Sequence, residues 1–200
     1  MIISSKKSAS QSYSYEDDFV PDMTQELKEF DFLTNFLINN DVQSILIFGV
    51  DNAGMEYRLA ETYSNLNKKC FITGLDCSFN DNLKHAYAKI LGKFPSVSVN
   101  FVRLNLNMPF PFFLLGKYEF TFIDADHAYT SVKSDFALAL KHTTRFVGFH
   151  DIVMERDNYS GPEGGVKKFW EETKINYKYI ENVTEGSRMF KRYGIGIISL

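Results

Sequence analysis

The sequence predicts a doubly wound α/β domain built on a mostly parallel sheet. Helical and strand-like apolar patterns alternate along the chain, and SILIFGV is continuously apolar, as strands covered on both faces are. The two closing runs lie near enough in sequence to pair antiparallel. Two hundred residues, 44% hydrophobic and 24% charged, suffice for one such domain with a substantial core.

Residues 1–20, rich in Ser, Lys and acids, read as a flexible leader, and residues 21–200 as a single domain. MTQELKEFDFLTNFLINN sets Leu27, Phe30, Leu33 or Thr34, and Leu37 at helical spacing, so one stripe can face a core. SILIFGV is a buried strand, MEYRLAETYSNL a helix and KCFITGLD a second strand. A polar helix from about Asp81 to Leu91 and the strand VSVNFVRLN follow. KYEFTFID is the next strand, SVKSDFALALK a helix with Val132, Phe136 and Ala139 or Leu140 on one face, and RFVGFHD another strand. GVKKFWEET spaces Val166, Phe169 and Trp170 helically, and YKYIENV and RYGIGIISL close as two strands. No repeat or linker divides the chain.

Composition narrows the function. A net charge of −3 supplies no basic face for nucleic acid. Cys70 and Cys77 make neither a disulfide framework nor a zinc site, so a reducing cytoplasm is the expected location. No run resembles a signal peptide or a membrane span. Phe110, Phe112 and Phe113 are interface material if the chain forms a homo-oligomer.

In doubly wound sheets, ligands bind beyond the carboxyl ends of the strands. The residues there are Gly49 to Gly54, Asp76, Asn105, Asp124 to His127, and His150 with Asp151. Gly49 and Gly54 flank a strand-to-helix turn, where bare backbone and helix amides can approach a ligand or simply make a tight turn. Asp76 can accept hydrogen bonds from ribose hydroxyls, or cap the following helix. Asp124, His150 and Asp151 share one edge if their strands are neighbours, and two carboxylates with an imidazole suit Mg²⁺, Mn²⁺ or Fe²⁺. His127, three residues past Asp124, is placed to act as a base over the same space. The alternative is that Asp124 and Asp126 cap a helix beginning near Ala128, with both histidines as hydrogen-bonded surface residues. The polar, glycine-rich MERDNYSGPEGG reads as a substrate-binding wall or a plain surface loop.

KYEFTFIDADHAYTSVKSDFALAL, FVGFHDI and GGVKKFWEE together resemble class I S-adenosylmethionine-dependent methyltransferases, in the branch related to metal-dependent catechol-type O-methyltransferases. The resemblance implies a seven-stranded Rossmann-like sheet, mostly parallel, with a final antiparallel strand. It implies that Gly49, Val50, Asp51 and Gly54 lie beside the methionine part of the cofactor, Asp76 holds the ribose and Asn105 lies near the adenine. It places Asp124 at the cofactor and in the metal set with His150 and Asp151, and gives His127 the role of base. Family members read E-x-G-x-G-x-G at the first loop, where this chain has Ile47, Gly49, Asp51 and Ala53. Thr144, Arg145 and Phe146 replace the glycine pair common before the FHD strand.

Three functions follow from these residues. The first is methyl transfer from S-adenosylmethionine to a hydroxyl of a small molecule or sugar, assisted by Mg²⁺ or another divalent metal. The second, motivated by the altered loop, is a catalytically silent relative that keeps the fold for binding. The third is an iron-dependent oxidation at the carboxylate and histidine set.

Overall fold

The computed structural model describes residues 20–23, 25–106, 115–153, 165–185 and 192–200. The expected leader up to residue 19, Phe110, Phe112 and Phe113, and most of the loop after Asp151 lie outside them. Twelve elements run in the order α1 (Leu27–Asn39), β1 (Ser44–Phe48), α2 (Gly54–Asn65), β2 (Cys70–Asp76), α3 (Asp81–Lys93), β3 (Val97–Arg103), β4 (Tyr118–Ile123), α4 (Tyr129–His142), β5 (Thr143–Phe149), α5 (Gly165–Lys174), β6 (Lys178–Glu185) and β7 (Arg192–Ser199).

The seven strands form one sheet in the order β3-β2-β1-β4-β5-β7-β6. β1 to β5 pair in parallel, and β7 is antiparallel to both β5 and β6. The strand order reverses between β1 and β4, which places the ligand-binding crevice of such sheets at their carboxyl ends.

Strand alternation feeds two cores. Ile45 and Ile47 of β1 join Leu33 and Leu37 of α1, Tyr57 and Tyr63 of α2, and Phe120 and Phe122 of β4 on one face. Leu46 and Phe48 point the other way, into the core with Phe136, Phe149, Phe169 and Trp170. Both faces of β1 are therefore covered, which is why SILIF is continuously apolar. Trp170 seats against β7, where a Cβ on Gly196 would lie 2.4 Å from its ring. Its indole N–H donates to Glu181 on β6 at 2.9 Å.

The structure corrects one helix face and settles another. Leu27 is 70% exposed, and the buried stripe of α1 runs through Glu29, Phe30, Leu33, Thr34 and Leu37. On α4, Ala139 is buried and Leu140 faces solvent. α4 also passes into β5 without a turn, so Thr144 to Phe146 are strand residues. The Thr143 hydroxyl makes this junction, donating to the Ala139 carbonyl at 2.7 Å. Cys70 is buried, with its thiol pushed up to about 12 by burial, and Cys77 is exposed. Among the described residues no helix is long and apolar enough to cross a membrane.

Candidate active site

Backbone bonds beyond the strand ends bring the sequence-predicted residues to one edge. Gly49 N–H donates to Leu75, Leu104 N–H to Asp76, Asp124 N–H to Phe48, and His150 N–H to Ile123. Asn105 follows at the same edge and is exposed. Gly49 has φ +86°, and a Cβ there would overlap the Asp124 carbonyl oxygen at 1.9 Å. Only glycine lets the first loop close onto β4.

The loop keeps left-handed backbone at the positions where the family has further glycines. Asp51 has φ +50° and Ala53 φ +61°. The Asp51 side chain is exposed and Ala53 is buried. Asp76 Oδ2 accepts the Val50 and Asp51 N–H groups at 2.9 and 3.3 Å, and its Oδ1 accepts Ser78 N–H at 2.7 Å. Asp76 is thus the loop's own anchor. It does not cap α3, because Asn80 does so by accepting Leu83 N–H at 2.8 Å. The near neighbour of Gly54 is also the chain itself, since a Cβ there would lie 2.1 Å from the Asp22 carbonyl oxygen. Beneath the loop, the fully buried Glu56 is pushed up to about 8, chiefly by burial, with Tyr87 hydroxyl 3.5 Å from its Oε1.

Asp124, His127, His150 and Asp151 converge across β4 and β5. His127 Nε2 lies 3.5 Å from Asp151 Oδ2 and 3.9 Å from Asp124 Oδ1. His150 Nδ1 is 3.1 Å from Asp124 Oδ1 and 3.4 Å from Asp151 Oδ2. Burial drives the Asp124 carboxyl upward, but the charge of His150 and hydrogen bonds from both histidines reverse this and hold it well below the usual range. At Asp151 burial, joined by the charge of Asp124, outweighs the imidazoles and raises the carboxyl to about 6. Burial opposes the His150 charge, yet Asp124 and Asp151 keep its pKa well above the ordinary value.

The capping alternative holds for Asp126 alone. Its oxygens accept Ala128 N–H at 3.2 Å and the Ser131 hydroxyl at 2.7 Å, at the start of α4. Asp124 instead faces the histidines.

The expected metal set of Asp124, His150 and Asp151 converges, and His127 joins the same two acids. Ligand atoms of Asp124, His127 and Asp151 all lie within 4.8 Å of one another. Both His150 nitrogens are directed at carboxylates, Nε2 facing Glu29 Oε2 at 3.5 Å. Hard carboxylate oxygens with an imidazole fit a divalent cation, and Asp151 Oδ1 is buried with no hydrogen-bond partner among the described residues.

Two participants were missed in the sequence. Gln25 Nε2 donates to Asp124 Oδ2 at 2.6 Å, and Glu29 is fully buried on the stripe of α1. Glu29 carried a readable signal, because stepping back one turn from Leu33 along the apolar stripe lands on this acid. Gln25 lies outside any periodic segment and carried none.

No protein-family model matches the chain, and no curated protein matches it in sequence. Solved structures do. An O-methyltransferase from Bacillus cereus in complex with SAH is 18% identical, with 90% of this chain and 84% of that one covered and a TM-score of 0.63. The O-methyltransferase TomG from Streptomyces achromogenes, involved in tomaymycin synthesis and solved with SAM, is 16% identical over 89% and 82% of the two chains, with a TM-score of 0.61. Magnesium protoporphyrin IX methyltransferase from Synechocystis, with bound SAM, is 10% identical over 86% and 78%, with a TM-score of 0.58. The fold is therefore that of the class I S-adenosylmethionine-dependent methyltransferases. O-methyltransferases similar to the catechol type stand among its structural neighbours.

Proposed function

We propose that the protein transfers a methyl group from S-adenosylmethionine to a hydroxyl of a small molecule or sugar. The observation that carries this reading is the convergence of Asp124, His127 and Asp151 at the sheet edge where Gly49 packs on β4. The donor would lie along Gly49 to Gly54, with Asp76 at its ribose and Asn105 toward its base. Asp51 and Ala53 support this reading, because they keep the left-handed backbone of a glycine loop.

Asp124 and Asp151 would hold a divalent ion such as Mg²⁺, which often binds through one or two carboxylates and keeps several waters. Bound there, such an ion would lower the pKa of the acceptor hydroxyl. His127 removes the acceptor proton on Nε2, and the neighbouring carboxylates stabilise the imidazolium that results. S-adenosylmethionine held there would supply the methyl group on a sulfonium, whose sulfur would keep the electron pair of the broken C–S bond as the C–O bond formed. The protein's contribution is alignment and charge placement.

One observation favours a second reading, a binding protein without methyl transfer. The Asp22–Met23 backbone packs on Gly54, and the Asp76 carboxylate is engaged by the loop's own amides. Isothermal titration with S-adenosylhomocysteine, followed by methyl-transfer assays on panels of catechols and sugars, separates the two. Binding with turnover that falls at least about 100-fold in His127→Ala supports the enzyme. Binding without turnover supports the second reading, and absence of heat at millimolar ligand overturns the cofactor site.

A further inference from the structure

Gln25 precedes α1 and Glu29 lies in its first turn, yet both reach residues about a hundred positions away. Gln25 fixes Asp124 Oδ2 at 2.6 Å, which leaves Oδ1 facing His127 and His150. Glu29 Oε2 faces His150 Nε2 at 3.5 Å, while the opposite ring nitrogen of His150 faces Asp124 and Asp151. Asp124 is therefore tied to the segment before α1 through Gln25, and both acids are tied to α1 through His150 and Glu29.

Helix capping does not account for Glu29. Capping requires only that its Oε2 accept Glu26 N–H, at 3.1 Å, and an exposed acid does this as well. Glu29 is instead fully buried, its Oε1 has no hydrogen-bond partner among the described residues, and the basic group facing it is His150. Burying a carboxylate against a single imidazole is costly, so a local stabilising role is a poor explanation. Gln25 is also buried, and it spends its amide on the same site.

We infer that Gln25 and Glu29 are positioning residues of the candidate metal centre. Gln25 sets which oxygen Asp124 presents. Glu29 orients the His150 ring that braces Asp124 against Asp151. This rests on the metal reading proposed above, and the test is arranged to separate the two.

Mn²⁺ binding to the full chain is followed by electron paramagnetic resonance of the free ion. Gln25→Ala and Glu29→Gln are each expected to weaken Mn²⁺ binding by at least about tenfold, the usual effect of losing a partner of a ligand. Glu29→Gln retains an oxygen for Glu26 N–H, so α1 keeps its cap. Because Glu29 acts through His150, Glu29→Gln should add less than about twofold in a His150→Gln background. If the unsubstituted protein binds no Mn²⁺ at millimolar concentration, the metal reading fails and this inference with it. If it binds Mn²⁺ but both variants bind within twofold of it, the positioning role is overturned while the metal site stands. Fully additive losses for Glu29→Gln and His150→Gln overturn the assignment of Glu29.

Discussion

Three residues near the first loop test how the fold tolerates its unusual sequence. Gly49→Ala places a Cβ inside the Asp124 carbonyl at a positive φ, so stability should fall by roughly 2–4 kcal/mol in urea unfolding. Asp51→Gly should do the opposite. Its side chain is exposed and its φ is +50°, so unfolding free energy should hold or rise by up to about 1 kcal/mol. Glu56 gives a pH signature. Its folded-state pKa of about 8 lies above the ordinary glutamate value of 4.5, so its contribution is complete below about pH 4.5 and is lost as pH rises toward 8. The loss cannot exceed about 1.4 kcal/mol per pH unit for one group. Glu56→Gln removes that titration, so the variant should gain on the natural chain between pH 5 and 9 in urea midpoints. An unchanged difference across that range would show that Glu56 ionises freely.

Among the elements, the packing of α5 on β7 is a tight steric constraint. Gly196→Ala sets a methyl group 2.4 Å from the fully buried Trp170 ring and should cost about 1–3 kcal/mol, read as a lowered melting temperature. GVKKFW was legible because Val166, Phe169 and Trp170 all keep helical spacing, and all three are buried. Leu27 misled because spacing alone cannot say where an apolar stripe ends. The acid at Glu29 continues that stripe, and Glu56 does the same on α2 with Leu59, Ala60 and Tyr63. Both are acidic residues on buried faces, and both lie at or beneath the candidate site. The ends of β2 and β4 were readable from strand-like runs that stop at Asp76 and Asp124. That His127 and His150 would both stand with the two aspartates was readable from their places just beyond β4 and β5. That Glu29, 121 positions from His150, would face its other ring nitrogen was not.

At the scale of the whole molecule, the strand order decides more than where the crevice falls. β7 lies between β5 and β6, so β5 remains an exposed edge after its own segment is made. β6 cannot cover it, because β6 joins the sheet only through β7. The four parallel pairings join strands separated by helices or longer segments, whereas β6 and β7 are neighbours in sequence. Local contacts form faster than distant ones, so the β6–β7 hairpin is expected to assemble as a unit and dock through β7. Until it docks, Phe146 to Phe149 present an unpaired apolar edge of the kind that recruits other chains. A chain cut after α5 should therefore scatter light strongly on refolding, while the intact chain stays clear. The β6–β7 hairpin would then act as the guard of the nascent protein, its docking marking the end of the interval in which aggregation competes with folding.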